Sequence, residues 1–210
     1  MGISYELVKE SAWPALKARL IEEHPLTQGE IVVLCREVFK DILLTRIGSQ
    51  DLRYITDIKL PGDTFGVLFE TLFLRRLQDK YPGVWRKGGQ QDELDIICVP
   101  NPSFSFEVKT TSKRIIYGPK SIKMDPHETN HGSYHLLVFW DLVPYPSIGC
   151  VKWGWCDPCD YRSSASTYSR PLRREILDLK FETLWRREDV PDEALARILA
   201  GMGQLPGTIS

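Results

Sequence analysis

Three charged residues on two neighbouring apolar segments have the types and spacing of a catalytic site. Asp95 opens the segment DIICV, and Glu107 and Lys109 alternate with apolar residues in FSFEVK. Successive side chains of a strand point to opposite faces. The second segment therefore presents one apolar face and one face that carries an acid and a base.

A hairpin folded about Asn101 would bring the two acids together. The PNPS sequence between the segments is typical of a turn and predicts strands over 95–99 and 104–109. Residues whose numbers sum to about 202 then face each other, so Asp95 lies opposite Glu107. Directly opposed Cβ atoms are about 4.5–5.5 Å apart, which places both carboxylates on one face at one end of the hairpin.

Two close carboxylates repel each other, and each raises the pKa of the other unless a cation lies between them. A divalent metal that prefers oxygen ligands is the natural cation, and Mg²⁺ typically takes one or two carboxylates together with waters and phosphate oxygens. The neighbouring Lys109 ammonium can activate or orient an attacking water, or stabilise the charge that builds on a scissile phosphate. This combination predicts hydrolysis of a phosphodiester bond.

The arrangement of Asp95, an eleven-residue gap and Glu107-Val108-Lys109 resembles the motif of the PD-(D/E)xK nuclease superfamily. Leu94 stands at the position of the proline that names the motif, which is a mild departure. The resemblance extends over residues 63 to about 155. Chain length and the long tails on both sides are most similar to those of a type II restriction endonuclease.

The resemblance implies a fold, a reaction and a set of site residues. The expected fold is of the α/β class, a mixed central β-sheet flanked by helices with the restriction-endonuclease-like αβββαβ core. The expected reaction is Mg²⁺-dependent cleavage of double-stranded DNA at a specific, palindromic sequence by a homodimer, with Mn²⁺ as a substitute metal. Asp95, Glu107 and Glu70 are the implied metal ligands, and Lys109 completes the implied catalytic set.

Other interpretations of these residues stay open. Glu107 and Lys109 could form an ion pair on a solvated strand, and Glu70 could pair with Arg75 or Lys87. The chain could be a repair, nicking or junction-resolving nuclease of the same fold. It could also be a DNA-binding module of that fold without catalysis.

Two basic stretches, 108–124 and 161–174, are candidates for contact with DNA phosphates. The first contains no acid and begins at the catalytic strand, and the second interleaves arginines with hydroxyl side chains. The alternative for any single residue is a solvated charged face. The predicted DNA-binding residues are Lys113, Arg114, Lys120, Lys123, Arg162, Arg170, Arg173 and Arg174.

A zinc site is a further hypothesis from spacing alone. His127 and His131 have H-x₃-H spacing, and Cys156 and Cys159 have C-x₂-C spacing, so the four could supply tetrahedral ligands. The alternative is a pair of reduced cysteines in a turn around Asp157-Pro158.

Several helices and strands must position these residues. Ser11 is a candidate N-cap for a helix over 11–24, and Thr27 with Glu30 has capping-box spacing. An unusually apolar helix over 63–80 carries Glu70 at its centre and is expected to be buried on most sides. Buried strands are predicted over 134–140 and 151–155, a helix or strand over 173–185, and a helix over 191–199.

Length and composition predict one nuclease domain over 1–210. Its predicted parts are helical residues 1–60, a catalytic core over 61–160 and a C-terminal extension over 161–210 for DNA contact and dimerisation. The N-terminal helices are interpreted as a lid or dimer surface, with Trp13 and Trp185 as candidate interface residues.

Composition also excludes several classes of protein. A formal net charge of −1 means that affinity for DNA must come from local basic patches. No apolar run approaches the roughly 20 residues of a membrane span, and MGISYELVKE does not have the pattern of a signal peptide. Five cysteines, an odd number, fit a reducing compartment, so we expect a cytoplasmic protein. The glycine-rich loop of a nucleotide cofactor site is also absent from the sequence.

Overall fold

The computed structural model describes residues 5, 7–53, 57–58, 62–89, 93–113, 115–117, 132–141, 147–161 and 171–187. Arg114, Lys120, Lys123, Arg162, Arg170, His127, His131 and the predicted helix over 191–199 lie outside these residues. The described elements begin with two N-terminal helices, and most strands follow later in the chain. They are α1 (Trp13–Glu23), α2 (Gln28–Leu44), β1 (Arg46–Ile47), β2 (Leu52–Arg53), α3 (Gly62–Lys80), β3 (Trp85–Lys87), β4 (Ile96–Cys98), β5 (Phe106–Thr111), β6 (Ser133–Asp141), β7 (Ser147–Cys156), α4 (Arg174–Leu179) and β8 (Phe181–Arg186).

Within the described ranges, six strands form one mixed sheet in the order β3-β4-β5-β6-β7-β8. β5 and β6 are parallel, and every other neighbouring pair is antiparallel. The prediction of a mixed sheet flanked by helices is confirmed. The pairing of Ile96 with Phe106 also agrees with the register predicted for the hairpin, because these residue numbers sum to 202.

The two faces of the sheet bury different clusters. One face packs against α1, α2 and α3 and contains the larger cluster, which includes Phe106, Val108 and Trp153. The other face buries a smaller cluster around Leu137 and Phe181, to which α4 contributes Ile176. Side chains alternate along each strand, so Glu107 and Lys109 lie on the second face with the smaller cluster.

The capping box predicted for α2 is present in full: Thr27 Oγ1 accepts from the Glu30 N–H, and the Glu30 carboxylate accepts from the Thr27 N–H. The N-cap predicted for α1 is wrong. Ser11 lies within a 3₁₀ helix over Glu10–Ala12, and α1 begins at Trp13 with Ala12 as a cap that makes no side-chain hydrogen bond. The 3₁₀ turn therefore occupies the position expected for a capping residue.

The first helix is part of the core. Trp13 is 2% exposed and packs in the larger cluster with residues of α2 and the sheet. Its interpretation as an interface residue is therefore wrong, because a buried indole cannot contact a partner. Trp185 on β8 is only partly buried.

The central helix α3 buries one face, which corrects the expectation of burial on most sides. Phe65, Phe69, Phe73 and Leu77 repeat every four residues and are almost completely buried. Val67, between them, is 61% exposed. Leu74, next to this stripe, is also buried, and the other apolar side chains of the helix are only partly buried or exposed.

The strands predicted downstream are confirmed, and the ambiguous segment contains both kinds of element. The apolar run over 134–140 lies in β6, and 151–155 lies in β7. Residues 173–185 form the short helix α4 and then most of the edge strand β8. No helix in the described residues has the length and apolar character needed to cross a membrane.

The buried side chain of His24 should make the folded protein less stable in acid. His24 lies in an aromatic cluster, where its Nδ1 accepts from the Leu26 N–H (3.1 Å), so the protonated Nε2 donates to the Phe104 carbonyl (3.0 Å). Burial lowers its pKa to about 4 from 6.5. The unfolded chain therefore binds a proton more readily than the folded protein between these values, and the free energy of unfolding should fall as pH drops from 6.5 towards 4, by about 3 kcal/mol in total.

Denaturant unfolding of wild type and His24→Gln across that pH range measures this contribution. We expect the variant to be less stable at neutral pH, because it loses packing and hydrogen bonds, but to lose less additional stability in acid. An equal decline with pH in both proteins would contradict the assignment of the acid sensitivity to His24.

Candidate active site

The predicted hairpin brings Asp95, Glu107 and Lys109 into direct contact. The backbone N–H of Asp95 donates to Glu107 Oε2 (3.1 Å), and the N–H of Val108 donates to Asp95 Oδ2 (2.9 Å). Lys109 Nζ donates to Glu107 Oε1 and lies 3.6 Å from Asp95 Oδ2. The lysine therefore bridges the two carboxylates, and each carboxylate is also held by a backbone N–H of the opposite strand.

This cluster is not an ion pair on a solvated strand. The Glu107 side chain is 8% exposed, and those of Asp95 and Lys109 are about one quarter exposed. Partial burial of three charges costs free energy that exposed pairs do not incur, so clusters of this kind are concentrated at functional sites.

The electrostatics of the three groups are coupled. Burial, and then the charge of Glu107, raise the pKa of Asp95. Burial alone would lower the pKa of Lys109, but the charges of Glu107 and Asp95 outweigh burial, and the pKa of Lys109 is raised. Lys109 is therefore protonated at neutral pH and partly compensates two carboxylates that would otherwise repel each other.

The two carboxylates fit a divalent cation. Asp95 and Glu107 supply oxygen ligands on one face, and a divalent cation would offset the repulsion between the two carboxylates. Within the described parts of the chain, however, no three His, Cys, Asp or Glu side chains are close enough together to hold a metal ion. The role of Glu70 as a third metal ligand stays a prediction.

Helix α3 nevertheless carries Glu70 to the edge of the site. A Cβ on Gly66 would lie 3.2 Å from Thr110 Oγ1, so the helix approaches β5 closely one turn before Glu70. Burial, and then the charge of Asp95, raise the pKa of Glu70. Its carboxylate lies 3.7 Å from Lys87 Nζ, as the alternative interpretation proposed, whereas Arg75 pairs with Asp79.

The contribution of Glu70 can be separated from that of its ion pair. If the Glu70 carboxylate contributes to the negative field of the site, Glu70→Gln should lower the single-turnover cleavage rate about tenfold and raise the metal concentration needed for half-maximal rate. Lys87→Ala is the matched control, because it breaks the same ion pair and keeps the carboxylate. Equal loss in both variants would mean that Glu70 acts only through Lys87.

The described members of the predicted DNA-binding set have different environments. Lys113 follows β5 and is exposed, and Arg174 is exposed at the start of α4. Arg173 is tied to Asp160: its Nε donates to the Asp160 carbonyl (3.2 Å), and its Nη2 lies 3.6 Å from Asp160 Oδ1. Arg173 therefore has a structural role in addition to any contact with DNA.

The C-x₂-C segment lies next to a buried ionic cluster. Cys156 is 2% exposed and donates to the Asp157 carbonyl, whereas Cys159 is exposed. Lys180 Nζ donates to Asp157 Oδ2 (2.9 Å) and to Asp160 Oδ2 (2.7 Å), and all three side chains are almost completely buried. The geometry agrees with the alternative of a turn around Asp157-Pro158. The zinc set, whose histidines lie outside the described residues, stays a prediction.

A second buried histidine lies behind the site. His135 is the β6 neighbour of Glu107 and is 4% exposed. Its Nδ1 donates to the Ser133 carbonyl (3.1 Å), so Nε2 accepts from the Tyr161 hydroxyl (3.1 Å). Burial lowers the pKa of His135 to about 4, and a neutral imidazole therefore backs the carboxylate. Its signal in the sequence was a polar residue inside the apolar run YHLLVFW.

The mixed sheet, the helices on both faces and the acid, acid and lysine on adjacent strands are those of the restriction-endonuclease-like class. Sequence comparison then gives the particular family. The chain belongs to the ScaI restriction endonuclease family, whose family model matches residues 4–185. It is 27% identical over 163 residues to the type II restriction enzyme ScaI of Streptomyces caespitosus, a match that covers 73% of this chain and 71% of that enzyme. The protein is therefore a restriction-type endonuclease that acts on DNA.

Proposed function

We propose that the protein is a type II restriction endonuclease that cuts both strands of duplex DNA at a specific palindromic sequence with Mg²⁺, for which Mn²⁺ can substitute. The observation that carries the proposal is the contact of Lys109 with both Asp95 and Glu107 on adjacent strands. The named relative, a type II restriction enzyme, supports the assignment to this type. The buried free thiols of Cys35, Cys98 and Cys156 support action in the reducing cytoplasm.

Each residue of the site has a distinct proposed role. Asp95 and Glu107 hold the metal ion, which would supply Lewis-acid stabilisation of the negative charge on the phosphate when it is bound. Lys109, which is protonated in the free enzyme, orients the attacking water and offsets the charge that develops on the scissile phosphate. Glu70 contributes negative potential from the edge of the site. The hydrogen bonds of Val108 N–H and Asp95 N–H keep both carboxylates in place before substrate arrives.

Incubation of the protein with a set of plasmids and Mg²⁺ tests the proposal. Discrete fragments that recur between preparations support a sequence-specific enzyme. Smears, nicked circles or preferential cutting of branched DNA would instead support a repair, nicking or junction-resolving nuclease. Binding without any cutting in Mg²⁺ or Mn²⁺ would contradict a catalytic role and leave the DNA-binding module.

We also predict that the active species is a homodimer. One Asp95, Glu107 and Lys109 cluster can cut one strand, and a two-fold axis supplies a second cluster for the other strand of a palindrome. The partly exposed Trp185 on the edge strand β8 is a candidate contact. Sedimentation of the free and DNA-bound protein should give a dimer. A monomer in both states that nicks only one strand would contradict the type II assignment.

A further inference from the structure

A cleft of about 520 Å³ lies beyond the candidate active site on the same face of the sheet. Lys109 is paired with Leu137 across β5 and β6, and Leu137 is paired with Lys152 across β6 and β7. Paired residues of neighbouring strands present their side chains on the same face. Because Lys152 lines the cleft, the cleft and the catalytic lysine share that face of the sheet.

Positive charge dominates the lining of this cleft. Lys113, Arg174 and Arg186 border it, and all three side chains are exposed. None of the three forms an ion pair with an acidic side chain of the described residues. With Lys152, four basic residues line the cleft against two acidic ones, Asp141 and Asp178. Three cations without acidic partners around one concave surface create a potential that attracts a polyanion.

Hydrogen bonds hold two walls of the cleft in place. Lys152 is 7% exposed, and its Nζ donates to the Leu177 carbonyl (3.1 Å) and to Asp178 Oδ1 (3.3 Å) at the end of α4. Thr111 Oγ1 accepts from the Lys113 N–H (3.0 Å) and donates to the Lys113 carbonyl (3.0 Å). The hydrogen bonds of Lys152 fix α4, which carries Arg174, against the sheet. The hydrogen bonds between Thr111 and Lys113 fix the turn that carries Lys113.

The separation from the catalytic lysine suits a strand of DNA. Lys113 follows Lys109 by four residues and lies in the turn after β5, so the two are at most roughly 13 Å apart along the chain. Each DNA strand carries one phosphate per about 3.4 Å of helix axis, so this distance corresponds to at most roughly four phosphates. A backbone that enters the cleft can therefore continue to the Asp95, Glu107 and Lys109 cluster without a break in the contacts.

We propose that this cleft binds the sugar-phosphate backbone of the strand that is cut at Lys109, with Lys113, Arg174 and Arg186 as the phosphate contacts. The inference rests on the proposed nuclease function and extends it to a defined binding surface. These contacts position the strand and carry no sequence preference, since every duplex presents the same phosphates.

The test compares two triple variants with the same change in charge. Lys113→Ala, Arg174→Ala and Arg186→Ala remove the cleft cations. Arg36→Ala, Lys40→Ala and Arg75→Ala remove one lysine and two arginines from the exposed sides of α2 and α3, which pack on the other face of the sheet. Fluorescence anisotropy with a short duplex of random sequence, in metal-free buffer over a series of salt concentrations, gives the affinity and its salt dependence.

The cleft variant should bind about 100-fold more weakly, and the slope of log affinity against log salt should be shallower by about 0.9 for each lost contact. The control variant should keep both values close to those of wild type. Wild-type affinity and slope in the cleft variant would overturn the inference, as would an equal loss in both variants. A different result would contradict the proposed function itself: a wild-type protein that neither binds duplex DNA nor cuts it with a divalent metal.

Discussion

Replacement of Lys109 by Ala is expected to lower the single-turnover cleavage rate about 1,000-fold or more, while affinity for DNA stays within a few-fold of wild type. Lys109 bridges Glu107 and Asp95 in the free protein, and its raised pKa keeps it positively charged at neutral pH. A cation at this position interacts more strongly with the transition state, where charge accumulates on the phosphate, than with the ground state, so its removal affects the rate more than the binding.

Cleavage and gel-shift assays on the same preparations separate rate from affinity. Lys40→Ala, which removes an exposed lysine of α2, is the control for a general change of charge.

A second measurement, of thermal stability, does not depend on activity. Without the bridging ammonium, Asp95 and Glu107 repel each other, so divalent metal should raise the thermal stability of Lys109→Ala more than that of wild type. Cleavage by the variant at the wild-type rate would remove Lys109 from the site.

The hairpin was predictable because its rules are local. The alternation of side chains along a strand placed Glu107 and Lys109 on one face. The PNPS turn set which residues of the two strands face each other, and the observed pairing of Ile96 with Phe106 agrees with it. The capping box of Thr27 and Glu30 is equally local. The essential part of the candidate site thus depends on contacts between residues no more than 14 positions apart, which a pattern in one sequence can specify.

Features that depend on distant contacts were not predictable in the same way. The buried cluster of Lys180 with Asp157 and Asp160 lies next to the C-x₂-C segment, and its lysine comes from 20 residues further along the chain. The Lys180 ammonium lies 4.0 Å from the centroid of the Trp13 ring. A residue interpreted as an interface aromatic, near the other end of the chain, thus packs against this buried cluster. Nothing in the local pattern distinguishes an indole that packs in the core from one that contacts a partner.

The segment 173–185 and the burial of α3 show a further limit. Apolar spacing permitted either a helix or a strand in that segment, and pairing with β7 turned its second half into β8. For α3, the abundance of apolar residues predicted burial on most sides, but burial is concentrated on the stripe at four-residue spacing and the adjacent Leu74, and Val67 is exposed. Composition gives the total apolar surface of a helix, whereas the geometry of the sheet decides how much of that surface is covered.

Asp95→Asn and Glu107→Gln are each expected to remove metal-dependent cleavage, with a fall in rate of about 1,000-fold or more. Both substitutions keep the shape of the side chain, and the side-chain oxygens of Asn and Gln can still accept the backbone hydrogen bonds from Val108 and Asp95. What they lose is the negative charge that would hold a divalent cation. The corresponding Ala variants should behave in the same way, and their failure to cut cannot then be ascribed to the amide group.

Two measurements show whether the charge acts through the metal. Glu93→Gln is the matched control, because Glu93 is close in sequence but forms its ion pair with Arg86. It should keep nearly full activity. In wild type, Ca²⁺ should support binding of cognate DNA without cutting, because it accepts looser coordination geometry than Mg²⁺, and isothermal titration should show that the Glu107 variant has lost this ion-dependent gain in affinity. If Glu107→Gln still cuts with Mg²⁺, the carboxylate opposite Asp95 does not hold the metal ion, and the catalytic ligands must be sought elsewhere on the sheet.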